Sequence, residues 1–184
     1  MHTTEQQLNL IKNKVNEIVN TKQLETKPKI IAVTKTFSLD KIIPLLKAGH
    51  IHFGENKIQE AENKWINTKN KYKEVKLHML GKLQTNKAKK AVKLFDYIHS
   101  LDNDRLALKL SYYEKELTKK IKLFIQVNLA KEEQKSGILL NDLNNFYHYC
   151  IKELSLNVIG LMCLPPIESD SQNYFKLLKN AAEQ

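Results

Sequence analysis

The sequence predicts a single α/β domain built on parallel strands, and three observations predict it. Short apolar runs rich in β-branched residues alternate about six times with segments of helical spacing. No Pro/Gly/Ser-rich linker interrupts that alternation. The 184 residues suffice for one domain with a full core. Alternation of this kind implies right-handed crossovers between neighbouring parallel strands. Two architectures fit it, an open doubly wound sheet and a barrel of the eight-fold type.

The elements follow in order. Leu8, Ile11, Val15 and Ile18 recur at helical spacing, so the chain opens with an amphipathic helix, and Pro28 closes the linker after it. The apolar run 30–33 within 29–35 reads as a first strand ending in Lys35. Ser38 can cap a helix over 39–48, with Gly49 as its stop. A second strand is predicted at 51–53, a helix over 55–65, and a third strand over 75–80 that Gly81 leaves. A lysine-rich helix over 84–94, a strand over 97–101 and a helix over 103–116 come next. The strongly apolar fifth strand covers 121–128, followed by a helix over 139–153, a sixth strand over 156–162 and a helix from 170 onward.

Composition excludes several functions. The net charge of +10 invites a nucleic-acid reading, but Arg105 is the only arginine, and base-edge recognition favours the arginine fork. The lysines are spread along the whole chain, which leaves only weak, nonspecific attraction to polyanions and no specific nucleic-acid partner. Cys150 and Cys163 have neither CxxC nor metal-ligand spacing and read as reduced, semi-buried thiols. The first twenty residues lack the continuous apolar core of a secretory signal, and no apolar run approaches membrane-spanning length. The expected location is the cytoplasm. The turn Lys35-Thr36-Phe37-Ser38 after the first strand contains no glycine, which counts against a dinucleotide-binding doubly wound fold. There is no GxxxxGK[ST] loop either.

Lys35 is the leading candidate for chemistry. A lysine at the carboxyl end of a buried parallel strand lies where α/β folds place their sites. Partial desolvation there would lower its pKa and free the amine to attack an aldehyde. The ordinary reading of any lysine here is a solvent-facing charge. His50 and His52 alternate on one strand face without an identifiable third ligand, so no metal site is expected. Lys87, Lys89, Lys90 and Lys93 read as a solvated helix face, and no carboxylate pair stands out for acid–base work.

Five ordered stretches carry a resemblance. They are Ile31-Ala32-Val33-Thr34-Lys35, Phe53-Gly54-Glu55-Asn56-Lys57-Ile58-Gln59-Glu60, His78-Met79-Leu80-Gly81-Lys82-Leu83-Gln84-Thr85-Asn86-Lys87, Ile125-Gln126-Val127-Asn128 with Glu132-Glu133-Gln134-Lys135-Ser136-Gly137, and Gly160-Leu161-Met162. In order and spacing they resemble the pyridoxal phosphate homeostasis proteins, a single-domain group also called YggS-like. The resemblance implies a (β/α)8 barrel of the alanine racemase N-terminal-domain type. It also implies pyridoxal 5′-phosphate held as an imine on Lys35. Members are regarded as carriers or regulators of vitamin B6 and amino-acid balance, with PLP-dependent client enzymes as partners and no assigned catalysis. A racemase needs a second β-domain and a catalytic tyrosine from it, which leaves a PLP-dependent racemase-like enzyme as the alternative reading.

Within that expectation the cofactor-binding residues are Lys35, Asn56, His78 and Met162. Asn56 would hydrogen-bond the ring hydroxyl or the imine region, its other reading being a helix cap. His78 would pack beside the ring or orient the lysine, its other reading being a buried, hydrogen-bonded core histidine. Met162 would pack on the cofactor face, its other reading being plain core.

The sequence departs from the family pattern at its end. That pattern continues through two further βα units carrying a Ser/Gly-rich loop and an Arg-Ile-Gly stretch for the phosphate. The expectation is therefore a single PLP-binding barrel domain over 1–184 with about six βα units, lacking the last two. Weakened cofactor binding follows, the extreme reading being a non-functional truncated remnant.

Overall fold

The structure is a computed structural model that describes residues 3–130, 132, 135–167 and 170–183. Of the motif 132–137, Glu133 and Gln134 lie outside the described residues.

Helix α1 (Thr4–Thr21) opens the chain with a capping box, in which Thr3 accepts from Gln6 N–H and the Gln6 side chain accepts from Thr3 N–H. Six strands follow: β1 (Ala32–Val33), β2 (His52–Glu55), β3 (Lys76–Met79), β4 (Tyr97–Leu101), β5 (Lys122–Gln126) and β6 (Val158–Met162). They alternate with α2 (Leu39–Lys47), α3 (Ile58–Lys71), α4 (Ala88–Leu94), α5 (Asp104–Glu116) and α6 (Leu143–His148), and α7 (Ser171–Ala182) comes last. All neighbouring strands are parallel and lie in sequence order, β1-β2-β3-β4-β5-β6. A doubly wound sheet reverses its order at a switch point. Unbroken order with crossovers of one hand puts the helices on one face, as in a barrel. The fold is thus TIM-barrel-like, and among the described residues the sheet is open, with β1 and β6 at its edges.

Local chemistry explains the boundaries. Gly49 (φ 75°) ends α2 in a Schellman turn: Gly49 N–H reaches the Leu46 carbonyl and His50 N–H the Leu45 carbonyl. Asn103 caps α5 by accepting from Leu106 N–H at 2.9 Å. The first strand is much shorter than expected, two residues instead of the run 29–35, since its register with β2 covers only Ala32 and Val33. The helix expected from 55 starts at Ile58, since Glu55 completes β2 by pairing with Met79. The helix expected over 84–94 divides into a 3-10 turn (Thr85–Lys87) and α4. That over 139–153 divides into a 3-10 turn, α6 and a π-type turn over Tyr149–Glu153.

The core lies between sheet and helices. Phe53, Leu77, Ile98, Leu123 and Ile125 on the strands are fully buried with Trp65, Leu106 and Leu110 on α3 and α5. The Phe53 and Trp65 rings meet at 4.9 Å, which identifies the odd-numbered residues of β2 as its helix-facing side. His52 and Gly54 therefore point to the inner face. Cys150 and Cys163 are unbridged, and burial pushes the Cys150 thiol up to about 12.

Candidate functional site

Alternation along each strand decides what reaches the mouth of the sheet. Val33 pairs with Gly54 and Gly54 with His78, so Lys35 and Asn56 emerge together two residues farther on, beyond the carboxyl ends of β1 and β2. Met162 is the last residue of β6, opposite Gln126, and is half-buried. Lys35, Asn56 and Met162 thus all stand at the carboxyl ends of strands. His78 lies one layer lower, inside β3.

Lys35 is exposed, and its side chain has no hydrogen bond or ion pair among the described residues. The expected desolvation is absent, because β1 is an edge strand and Val33 beneath Lys35 is itself 45% exposed. Asn56 does not cap α3, whose N-cap position is Lys57. Its side-chain oxygen Oδ1 is buried and has no hydrogen-bond partner. A buried acceptor left unpaired is costly, which marks Asn56 as a place for a ligand donor. A hollow of about 550 Å³ beside it is lined by Asn56, Lys57, Gln59, Gly81, Lys82 and Lys87.

Gly81 sets the backbone there. A Cβ at this position would sit 2.3 Å from the Asn56 carbonyl oxygen and 2.8 Å from its Cα, so only glycine permits the two loops to touch. Gly81→Ala must push backbone against backbone. We expect it to destabilise the protein by about 1–3 kcal/mol, read as a lower thermal midpoint; an unchanged midpoint would show that the loops separate freely.

Below the mouth, three imidazoles join hand to hand across β2, β3 and β4. His52 Nδ1 lies 3.0 Å from His78 Nε2, and His78 Nδ1 lies 2.9 Å from His99 Nε2. The Tyr97 ring stacks on His78 at 4.2 Å, and Phe124 stacks on His99 at 4.3 Å. Burial, reinforced by the neighbouring His99, His52 and Lys29, pushes His78 down to about 3; burial alone takes His99 down to about 4. His52 is lowered too, by burial and then by Lys29 and Lys76. The three rings are therefore neutral at pH 7. His78 matches the buried, hydrogen-bonded reading, since both its nitrogens are taken. His50 stays apart, its Nε2 lying 2.8 Å from the His52 carbonyl.

On the helix side, Glu55 is fully buried. Its Oε1 accepts from Thr34 Oγ1 at 2.7 Å and Trp65 Nε1 at 3.0 Å, and pairs with Lys64 Nζ at 2.7 Å. Of these residues the sequence reading chose His78 alone; it missed the row that joins His78 to His52 and His99, and it missed the Glu55 cluster. The row had one signal, a histidine in each of three successive strands. The cluster had another, the Glu60–Lys64 pair at i,i+4 spacing.

Comparison with known proteins gives concordant results. The family model "Alanine racemase, N-terminal domain" matches residues 7–183. The chain is 36% identical over 170 residues to the pyridoxal phosphate homeostasis protein of Synechocystis sp., covering 91% of this chain and 77% of that one. To the protein of the same name from Pasteurella multocida it is 31% identical over 176 residues, covering 91% and 72%. Among solved structures, PipY of Synechococcus elongatus with PLP bound superposes with a TM-score of 0.78 at 32% identity, covering 92% of this chain and 80% of that chain. Alanine racemase from E. faecalis superposes at 0.64 with 11% identity, covering 92% and 48%, a likeness of fold alone.

Proposed function

The chain belongs to the alanine racemase N-terminal domain family and groups with its pyridoxal phosphate homeostasis proteins, and from that premise we propose that it binds pyridoxal 5′-phosphate covalently through Lys35, as a carrier in vitamin B6 and amino-acid homeostasis. The observation that carries the reading is the presence of an exposed, unpaired Lys35 and an unpartnered Asn56 Oδ1 at the carboxyl ends of adjacent strands.

The residues present fit the group. When bound, it supplies an electrophilic aldehyde carbon, a ring carrying polar atoms and a phosphate. Lys35 Nζ, once unprotonated, adds to a carbonyl carbon, and one water leaves. Asn56 Oδ1 accepts a hydrogen bond from the ligand, and Met162 offers apolar contact from β6. His78 supports the floor of the site from one layer below. Lys57, Lys82 and Lys87 make the adjoining rim positive, which favours a phosphorylated ligand over its unphosphorylated counterpart.

A carrier is favoured over a racemase by the tyrosines. Proton exchange on two faces needs a second acid–base group at the mouth. Among the described residues Tyr97 begins β4 and stacks on His78, while Tyr112 and Tyr113 lie on α5, Tyr72 ends α3, Tyr147 and Tyr149 lie on and just after α6, and Tyr174 lies on α7. The proposal extends to PLP-dependent client enzymes as recipients, to one barrel domain over 1–184, and to the cytoplasm. The last is supported by two unbridged cysteines and by the absence, among the described residues, of a helix long and apolar enough to cross a membrane.

The test is to incubate the protein with pyridoxal phosphate, reduce with borohydride and map the modified lysines by mass spectrometry. A stoichiometric adduct confined to Lys35 and abolished in Lys35→Ala is expected, with pyridoxal labelling less. Labelling scattered over many lysines in both proteins would defeat the assignment.

A further inference from the structure

Lys35 is exposed, yet the backbone on both sides of it is held by α3. Lys64 Nζ donates to the Thr34 carbonyl at 2.7 Å and, more weakly, to the Phe37 carbonyl at 3.4 Å. Glu60 Oε1 accepts from Thr36 N–H at 2.5 Å, and the same oxygen accepts from Lys64 Nζ at 2.8 Å. The Lys64 ammonium is anchored below by Glu55 at 2.7 Å, and its side chain is only 10% exposed. A continuous chain therefore runs from the buried Glu55 through Lys64 and Glu60 to the two peptide groups that flank Lys35.

The held segment is strained. Thr36 has φ 66°, in the left-handed region. A β-branched residue adopts that region only when its surroundings compel it. Thr36 Oγ1 also donates to the Lys35 carbonyl at 2.6 Å, closing the turn on itself. The Glu60 carboxylate is held below its usual range, first by the Lys64 hydrogen bond and further by that from Thr36 N–H. It is thus charged when it accepts from Thr36.

We propose that Glu60 and Lys64 are positioning residues for Lys35, clamping the backbone of residues 34–36 so that the amine rises from a fixed origin beside Asn56. The inference rests on the reading of Lys35 as the covalent anchor. Capture of a carbonyl carbon by an exposed lysine on a loose loop carries a large orientational entropy cost. A fixed backbone origin removes part of it. The sequence places the clamp economically, since Glu60 and Lys64 are one helical turn apart on α3 and face β1 together.

The experiment compares the full chain with Glu60→Ala, Glu60→Gln and Lys64→Met by two readouts. One is hydrogen exchange of the Thr36 amide in the free protein. The other is the fraction of borohydride-trapped pyridoxal phosphate on Lys35 relative to all other lysines. In Glu60→Ala we expect Thr36 to exchange about tenfold faster and the Lys35 preference to fall about tenfold, with little change in the thermal midpoint. Glu60→Gln keeps an oxygen acceptor for Thr36 N–H and should recover most of both, which a role in bulk stability would not produce. Lys64→Met should lower the Lys35 preference as well. Wild-type exchange and labelling in Glu60→Ala would overturn the clamp. If Glu60→Ala does not fold, Glu60→Gln and Lys64→Met carry the comparison, and wild-type Lys35 preference in Lys64→Met overturns it. If wild-type protein labels Lys35 no more than other lysines, the anchor reading fails, while Thr36 exchange still decides whether the clamp exists.

Discussion

Lowering the pH from 7.5 to 4 is expected to cost the protein several kcal/mol of stability through the imidazole row. The folded-state values of His78 and His99, about 3 and about 4, lie below the ordinary 6.5, and His52 is shifted the same way. Such groups bind protons more readily in the unfolded chain. Their contribution is complete above pH 6.5 and drains away as the pH falls toward the folded values. For His78 alone the shift corresponds to on the order of 3–5 kcal/mol, and the row titrates as one coupled unit, so the three contributions do not add. Burial is the main cause, since a second proton on His78 would place a charge inside the packed row, next to His99 and His52. The charges around the row add to the cost, since Lys29 and Lys76 are cationic and Asp96 offers only partial relief at the His52 end.

The measurement is the urea midpoint as a function of pH in wild type and in His78→Phe. The variant keeps a ring to stack on Tyr97 but leaves His52 and His99 each without a partner. It should be less stable at pH 7.5 by about 1–3 kcal/mol. Its stability should vary less between pH 6.5 and 4 by the His78 share, while His99, lowered by burial alone, keeps its own. A wild-type midpoint that stays flat over that range, or a slope undiminished in His78→Phe, would mean that His78 does not govern acid stability.

How far the sequence could foresee this is instructive. The alternation of elements was legible because each strand is a compact apolar run and each helix a periodic one. Lys35 was legible as a rim residue because it directly follows such a run, whereas Asn56 and Met162 were named through the family resemblance and stand at the ends of β2 and β6. The length of β1 was not legible, since an apolar run records burial potential and says nothing of how many of its residues a neighbouring strand pairs with. The imidazole row was not, because His52, His78 and His99 meet only through the register of three strands, and register is set by tertiary packing. Glu55 misled most. In sequence it looks like the acidic first turn of a helix, whereas in the fold it is the last residue of β2, turned toward the helix layer, where its Oε1 meets Thr34, Lys64 and Trp65 while its Oε2 is buried without a hydrogen-bond partner.

The same burial makes Glu55→Ala the most damaging single substitution expected here. It removes one oxygen that serves three donors, leaving the Trp65 indole N–H and the Thr34 hydroxyl without that acceptor, and leaving Lys64 short of its buried counter-charge. Removing one partner of an isolated buried pair costs about 3–5 kcal/mol because the other charge stays behind, and the lower end of that range is expected here because Lys64 keeps Glu60 at 2.8 Å. Glu55→Gln retains an oxygen for Trp65 and Thr34 and loses only the charge, so its cost should be smaller, about 1–3 kcal/mol. The decisive comparison is the double variant Glu55→Ala/Lys64→Met. If the damage comes from the stranded ammonium, replacing Lys64 with an uncharged side chain of similar length should restore part of what Glu55→Ala lost, making the double variant more stable than that single one. Strict additivity in urea denaturation would instead assign the loss to packing around Trp65, and the pair would then matter for placing the Lys35 loop alone.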